Sequence, residues 1–437
     1  MARDAKSTAM PKLRFPEFRE AKAWDKECLL NLASEALSNG VFNDPKKIGS
    51  GYKLINVLDM YIGTAIDESK LSLLALKEAD FKKNKVEHGD IFFTRSSLVK
   101  EGIAYSNIYL GASDDVTFDG HLIRFRPNKS IINPLFVNYI LKTEAVRKQL
   151  VARGKTATMT TIGQSDVADV KIPVPSISEQ KKIADCLTSL DEVIAVQEQK
   201  VEALKIHKRG LMQQLFPRED DPLPRLRFPG FRDTKAWNKE YLLNLASEAL
   251  SNGVFNDPNK VGSGYRLINV SDMYIGTVID ESKLSLLALE EVDFKKNKVE
   301  NGDIFFTRSS LVKEGIAYSN VYLGASEDIT FDGHLIRFRP NKNIVNPLFA
   351  NYVLKTEAVR KQLVARGKTA TMTTIGQSDV ATVKIPVPSI SEQQSITNCL
   401  VSFDAQVTAE SENLDALKLY KKGMMQQLFP NPMEVKE

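Results

Sequence analysis

Three short stretches set cationic, hydroxyl and amide side chains beside glycine. One runs from Thr94 to Gly102 and carries Arg95, Ser96, Ser97 and Lys100. A second runs from Arg153 to Gln164 and carries Arg153, Lys155, Thr156, Thr158 and Gln164. The third, Asn43 to Lys53, places Lys46, Lys47 and Lys53 around Tyr52. This is chemistry for gripping and reading a polyanion. Small hydroxyls and the backbone amides of glycine turns suit phosphate oxygens; arginine, lysine and amide side chains suit base edges. A solvated loop can have the same composition, so a single stretch carries little. All three recur 213 residues later, with Arg308, Ser309, Ser310 and Lys313 answering the first. Arg366, Lys368, Thr369, Thr371 and Gln377 answer the second.

Catalytic patterns fare worse. Gly154, Lys155 and Thr156 look like the tail of a phosphate-binding loop, but Gln149 stands where that loop needs its first glycine. Asn133, Pro134, Leu135 and Phe136 resemble the Asn-Pro-Pro-Phe/Tyr element of adenine methyltransferases. The second proline is missing and no glycine-rich cofactor loop accompanies it, so a helix start is the better reading. The four histidines, His88, His121, His207 and His334, show no metal-ligand spacing. No Ser/His/Asp set or carboxylate pair emerges. The expectation is a chain without catalytic residues, metal or cofactor of its own.

Bulk properties are those of an ordinary soluble globular protein. The 437 residues demand more than one core, and hydrophobic (43%) and charged (26%) fractions are ordinary. A net charge of +4 permits an acidic partner without arguing for one. Three cysteines, Cys28, Cys186 and Cys399, allow neither a disulfide framework nor a paired ligand motif, so a reducing cytoplasm is expected. No apolar run reaches membrane-spanning length, and the N-terminus has no hydrophobic signal core.

The elements that must position these stretches come twice. Pro11–Pro217 reappears as Pro224–Pro430 without insertion or deletion. From Leu29 to Gln180 only 16 of 152 paired positions differ, whereas from Lys181 to Gln214 most differ but the apolar spacing survives. Each copy has a lead-in (Leu13 to Phe18 with Trp24; Leu226 to Phe231 with Trp237), read as a core anchor. A mixed α/β region rich in short strands follows, for example Asp90 to Thr94 and His121 to Arg126. A helix is predicted over Pro134 to Val151. Pro173 and Pro175 then stop a strand, and Ser176 with Glu179 has capping-box spacing. Apolar residues step in heptads from there: Ile183, Leu187, Leu190, Ile194, Val201, Leu204, Leu211 and Leu215, with Gln197 and Lys208 as polar exceptions. The second copy repeats the pattern with Ile396, Leu400, Phe403, Val407, Leu414, Leu417, Met424 and Leu428, with Glu410 and Lys421 as exceptions. Each helix would be roughly 55 Å long at 1.5 Å per residue. That favours a coiled coil over a helix lying on its own globule.

The expected domains are 1–175, a first recognition globule; 176–217, a long helix; 218–223, a linker; 224–388, a second globule; 389–430, a second long helix; and 431–437, a tail. Six linker residues reach at most ~20 Å, so the second helix is expected to run back antiparallel along the first. The expected fold class is α+β: two similar α/β domains separated by two long antiparallel helices, pseudo-twofold and nearly circular.

With these features assembled, the chain resembles a specificity subunit of a Type I DNA restriction-modification system. The resemblance rests on the paired lead-ins, on Gly89 to Ser96 and Gly302 to Ser309, and on Ile172 to Gln180 and Ile385 to Gln393 opening the long helices. It implies two target recognition domains, each reading half of a split DNA site. It implies spacer helices that bind two methyltransferase subunits, which carry S-adenosylmethionine and flip the target adenine. It leaves room for a restriction subunit supplying ATP- and Mg-dependent translocase and nuclease activity. The family ordinarily carries two unlike domains; here they are nearly the same, so an inverted-repeat site is expected. Two other readings stay open: a bivalent DNA-binding regulator without methyltransferase partners, and a protein scaffold that does not bind DNA.

Overall fold

A computed structural model describes residues 8–219 and 221–430. The expected tail, the first seven residues and Asp220 of the linker lie outside the described residues. The chain divides into two compact units, 1–198 with 412–437, and 199–411. The division falls inside the long helices. Each unit therefore holds one mixed globule, the start of one helix and the end of the other.

In the first globule, Ser38–Asn39, Leu122–Phe125, Ile91–Thr94 and Ser106–Ile108 form a four-stranded antiparallel sheet in that order. The strand Ile91–Thr94 forms because its β-branched and aromatic residues can be buried on both faces. Ile91 and Phe93 enter one core with Ile123, Phe125 and Phe136. Phe92, on the opposite face, enters a second core with Tyr109, Phe118 and Leu122. A three-stranded sheet sets Ile48–Ile55 between Ser72–Leu74 and the parallel strand Val116–Phe118. Its long strand bulges between Ile48 and Tyr52. Gly51 makes the bulge possible: its φ is +99°, and a Cβ there would come within 2.5 Å of the Leu74 carbonyl oxygen. The second globule repeats these sheets with Ser251–Asn252, Leu335–Phe338, Ile304–Thr307 and Ser319–Val321, and with Val261–Ile268 at the centre of its partner sheet.

One sheet differs between the units. In the first, Thr8–Ala9 adds a strand to Trp24–Cys28, which also pairs with Lys171–Val174. In the second, Asn238–Tyr241 pairs, among the described residues, with Lys384–Val387 alone. The residue equivalent to Ala9 is Pro222, which has no N–H to give a ladder.

The predicted helix over 134–151 is two helices, Pro134–Ile140 and Glu144–Arg153. Thr143 breaks it: its backbone is extended (ψ 151°) and its Oγ1 donates to the Ile140 carbonyl. The long helices span Ile177–Leu215 and Ile390–Leu428. Ser176 Oγ accepts the Glu179 N–H at 3.3 Å, which is half of the expected capping box. The Glu179 carboxylate goes elsewhere, taking Arg14 Nε at 2.8 Å and Nη2 at 2.6 Å, with the Trp24 indole N–H at 3.3 Å. Arg227 and Glu392 repeat the pair.

Every predicted heptad position is buried or half-buried, including Gln197, Lys208, Glu410 and Lys421. The helices run antiparallel within each unit. In the first, Glu198 pairs with Lys418 and Asp191 with Lys421; in the second, Lys200 pairs with Glu410 and Lys208 with Asp404. The last helix closes the first unit. The Leu13 N–H bonds the Gln427 carbonyl at 3.0 Å, and Phe429 packs edge-on to Trp24 (6.4 Å) and against Phe136 (5.6 Å). Phe216, Trp237 and Phe349 repeat this cluster in the second unit.

Candidate nucleic-acid interface

Two of the three basic stretches meet in a small antiparallel sheet. Its strands are Lys155–Thr156, Thr160–Thr161 and Ser96–Ser97. The ladder aligns Thr160 with Ser97 and Thr161 with Ser96, so hydroxyl residues face hydroxyl residues across it. Thr158 lies exposed in the turn of the hairpin, and Lys155 is exposed beside Asp166 at 3.5 Å. Ser309–Ser310, Thr373–Thr374 and Lys368–Thr369 form the same sheet in the second unit, with Thr371 in the turn.

Arg95 is held rather than free. Its Nη1 donates to the Gly120 carbonyl at 3.0 Å, and Arg308 does the same to Gly333 at 2.9 Å. The Asn39 side-chain amide, at the edge of the four-stranded sheet, joins this cluster. The Asn39 amide lies 2.7 Å from Gln164 Nε2 on one side and 2.6 Å from Arg95 Nη1 on the other, and its oxygen accepts from Gln164 in one orientation and from Arg95 in the opposite one. Gln377 and Asn252 repeat the bond at 2.9 Å. Three elements distant in sequence thus set an arginine fork, a glutamine and an asparagine side by side, the residue types that reach purine edges. Asn39 and Asn252 were not legible as site residues; only the pairing of Ser38–Asn39 with Leu122–Phe125 brings them here.

The loop between Ser97 and Ala104 is braced at both ends. The ladder holds its start. At its finish Arg147 donates to three carbonyls: Nη1 to Ala104 at 2.6 Å, and Nη2 to Glu101 at 2.8 Å and Ile103 at 2.7 Å. Burial holds the Arg147 guanidinium below its ordinary pKa, against a smaller upward pull from Tyr105 and Tyr61. Ala104 has a left-handed backbone (φ 50°), a conformation costly for alanine, and its twin Ala317 matches it at 51°. Lys100 and Lys313 are exposed in short 3-10 turns on this loop.

The third stretch is placed apart from this sheet, around the strand Ile48–Ile55. Lys46 and Lys47 are exposed. Tyr52 stacks flat on Phe81, with ring centroids 3.8 Å apart. Lys53 pairs with Glu68 at 3.1 Å and Asp115 at 3.6 Å, and these carboxylates raise its pKa. Hydrogen bonds from Ser113 and Tyr109 in turn lower the Glu68 carboxyl to about 2. Tyr52 and Lys53 are thus engaged within the protein. Arg153 likewise closes its own helix, donating to the carbonyls of Gln149 and Asp169, both at 3.2 Å.

The catalytic look-alikes resolve into structure. Gly154 to Thr156 leaves a helix and enters a strand, the reverse of a phosphate-binding loop. Asn133 caps the helix Pro134–Ile140, its side chain accepting the Phe136 N–H at 3.0 Å. His121 and His334 each lie 2.7 Å from an aspartate two residues earlier. Among the described residues, no group of three or more His, Cys, Asp or Glu could hold a metal ion, and no helix is long and apolar enough to cross a membrane.

Comparison with known proteins agrees with this arrangement. The model of the Type I restriction modification DNA specificity domain matches residues 43–205 and again 255–419. The protein assigned as the MjaX type I restriction enzyme specificity subunit of Methanocaldococcus jannaschii is 23% identical over 426 residues, covering 92% of each chain. The EcoKI specificity subunit of Escherichia coli is 24% identical over 357 residues, covering 76% of this chain and 75% of that protein. The crystal structure of the S subunit of a Type I system from M. genitalium shares the fold, with a TM-score of 0.57 at 16% identity over 96% of this chain and 99% of that one. The chain belongs to the Type I restriction-modification DNA specificity family and carries that family's domain twice.

Proposed function

We propose that this chain is the non-catalytic DNA-reading subunit of a Type I restriction-modification complex in the cytoplasm. Each unit reads one half of a bipartite double-stranded site. Two methyltransferase subunits dock on the chain and bring S-adenosylmethionine to an adenine in each half-site. Restriction subunits, with ATP and Mg, are a further partner of the same assembly. The observation that carries the reading is a hydroxyl-lined hairpin flanked in both family-matched domains by a glutamine–asparagine pair, Gln164 with Asn39 and Gln377 with Asn252, and by an arginine held to a turn carbonyl, Arg95 and Arg308.

The DNA-contact set is drawn from Arg95, Ser96, Ser97, Lys100, Lys155, Thr156, Thr158 and Gln164 with their second-unit equivalents, and from exposed Lys46 and Lys47 for phosphates. Tyr52, Lys53, Arg153 and Arg366 support the fold around them. Because the Arg95, Ser96, Ser97, Lys100, Lys155, Thr156, Thr158 and Gln164 side chains recur unchanged in the second unit, with Lys46 alone of the contact set replaced, by Asn259, the half-sites are inverted repeats of one another. Lys77/Glu290, His88/Asn301 and Asp169/Thr382 are then surface differences that leave the motif unchanged.

Sequencing methylated adenines in a host carrying this chain with its methyltransferase subunits tests the proposal. A half-site, a fixed gap and its reverse complement are expected. Two unrelated half-sites would overturn the inverted repeat. Absence of methylation, together with binding indifferent to salt, would favour a protein scaffold over a DNA reader.

A further inference from the structure

The loop braced by Arg147 carries something the polar contacts do not use. At its tip Leu98 is 87% exposed and Val99 61% exposed, and Leu311 and Val312 match them at 87% and 61%. Leu98 and Leu311 are the most exposed large apolar side chains among the described residues. A solvent-facing leucine on a floppy loop needs no explanation, because it can fold back at little cost. This loop cannot. The ladder fixes Ser96 and Ser97, and Arg147 fixes the carbonyls of Glu101, Ile103 and Ala104. Between them Ser97 Oγ accepts the Val99 N–H at 3.3 Å, and the Gly102 N–H reaches the Val99 carbonyl at 3.1 Å. Gly102 lies so close that a Cβ would meet Ser97 Oγ at 2.6 Å. The second unit repeats each contact through Arg360, Ser310 and Gly315. The fold thus commits a half-buried arginine and a strained alanine to holding two branched aliphatic groups in water. Arg95 stands on one side of them and Lys100 on the other.

We propose that Leu98 with Val99, and Leu311 with Val312, recognise the 5-methyl group of a thymine in the major groove, one in each half-site. This rests on the DNA-reading function proposed above and deepens it. The thymine methyl is the one apolar group that a base pair displays in that groove. Flanking cations bring the loop to the duplex, and the branched tip then has a surface to cover. Branched aliphatic tips lack the flat face that stacking on an unpaired base would use.

The test uses the intact complex of this chain with its methyltransferase subunits and its mapped target. Each adenine of the target pairs with a thymine, so every half-site has at least one. Thymines are replaced one at a time by deoxyuridine, which removes only the methyl group, and binding is titrated at fixed salt. One position in each half-site is expected to weaken binding about fourfold, as follows from about 0.8 kcal/mol for a buried methyl-sized group. Replacement in both halves is expected to weaken it about fifteenfold. The double variant L98A/L311A is expected to bind the thymine and deoxyuridine duplexes alike while keeping its full methyltransferase complement. The inference is overturned if no deoxyuridine position matters to the natural chain, or if the sensitivity survives in L98A/L311A. Loss of methyltransferase subunits from that variant would also overturn it, because the tip would then be a protein contact. Failure of the underlying DNA-reading function looks different: the natural complex would show no preference for its mapped target over a scrambled duplex.

Discussion

Removing the guanidinium of Arg95 and Arg308 together separates base reading from phosphate gripping. Both are pinned through Nη1 to a turn carbonyl, Gly120 at 3.0 Å and Gly333 at 2.9 Å, and Arg95 lies against the Asn39 amide. A pinned fork loses little rotamer freedom when it meets a base, so most of its hydrogen-bond energy survives as discrimination. A good bidentate contact to a base is worth about 1–3 kcal/mol. Two symmetric contacts are therefore worth roughly 2–6 kcal/mol, or a factor of about thirty to above ten thousand. The cost to folding is small by comparison, about 1 kcal/mol for each lost bond to a carbonyl at a half-buried site. The assay is fluorescence anisotropy of the complex on its mapped target and on a scrambled duplex, across a salt series. R95A/R308A is expected to lose at least thirtyfold on the target and little on the scrambled duplex. R95A alone is expected to relax one base position in one half-site only. Equal losses on both duplexes, with a salt slope shallower by about two, would mean that each arginine holds a phosphate. That result would refute base reading by this cluster.

Other outcomes follow from buried charge. In R14A the Glu179 carboxylate, 2% exposed, loses both its bonds to the guanidinium. Urea unfolding of the first unit is expected to be easier by about 3–5 kcal/mol, whereas replacing both partners with apolar residues costs far less; an R14A loss below 1 kcal/mol would contradict this. Burial and, secondarily, nearby Lys421 push the Lys142 ammonium down to about 8, against a pull from Asp191. Burial and Lys208 do the same to Lys355, against Asp404. Because the folded pKa lies below the ordinary 10.5, the unfolded chain holds more protons between the two values, and stability should rise with pH from about 8 toward 10. The rise should end as unfolded tyrosines ionise, since Tyr139 and Tyr352 are held well above their ordinary pKa by burial and by their aspartate partners. Thermal unfolding of K142M/K355M across this range should show no rise, with greater stability at pH 7.

Much of this was legible because the sequence writes periodicity plainly. The heptad seam of both helices follows from the spacing of Ile183, Leu187 and Ile194 and their equivalents, and polar Gln197 takes its seam position. Strands such as Ile91–Thr94 followed from composition. The illegible features join residues far apart in the chain. Arg14 and Glu179 are 165 residues apart, and Glu179 reads locally as a helix cap. Asn39 meets Gln164 across 125 residues. Tyr52 and Lys53 have a composition suited to nucleic acid, yet Phe81 and Glu68 occupy them. The single helix expected over 134–151 failed at Thr143, where apolar spacing continues through a backbone break.

The two long helices also show why identity was kept in some places and dropped in others. From Glu192 to Glu202 every residue differs from its equivalent in the second copy, although the seam keeps its pattern: aliphatic Ile194 and Val201 answer to Val407 and Leu414, and polar Gln197 to Glu410. Asp191 and Lys208, which flank that run, are unchanged as Asp404 and Lys421. They are the residues that tie helix to globule. Asp191 pairs with Lys421 and accepts the Tyr139 hydroxyl at 2.7 Å; Asp404 pairs with Lys208 and accepts the Tyr352 hydroxyl at 2.6 Å. An apolar seam tolerates exchange of one aliphatic residue for another, usually for less than about 1.5 kcal/mol. A buried carboxylate serving a lysine and a tyrosine has no such substitute. I194V/V201L should therefore leave unfolding and methylation almost untouched. D191L strands a lysine and a hydroxyl at the junction and should cost about 3–5 kcal/mol. Its methylation should fail first at the half-site that the first unit reads, because that reader has lost its fixed seat on the helix. Equal failure at both half-sites would mean that the tie serves overall folding and not the placement of one reader.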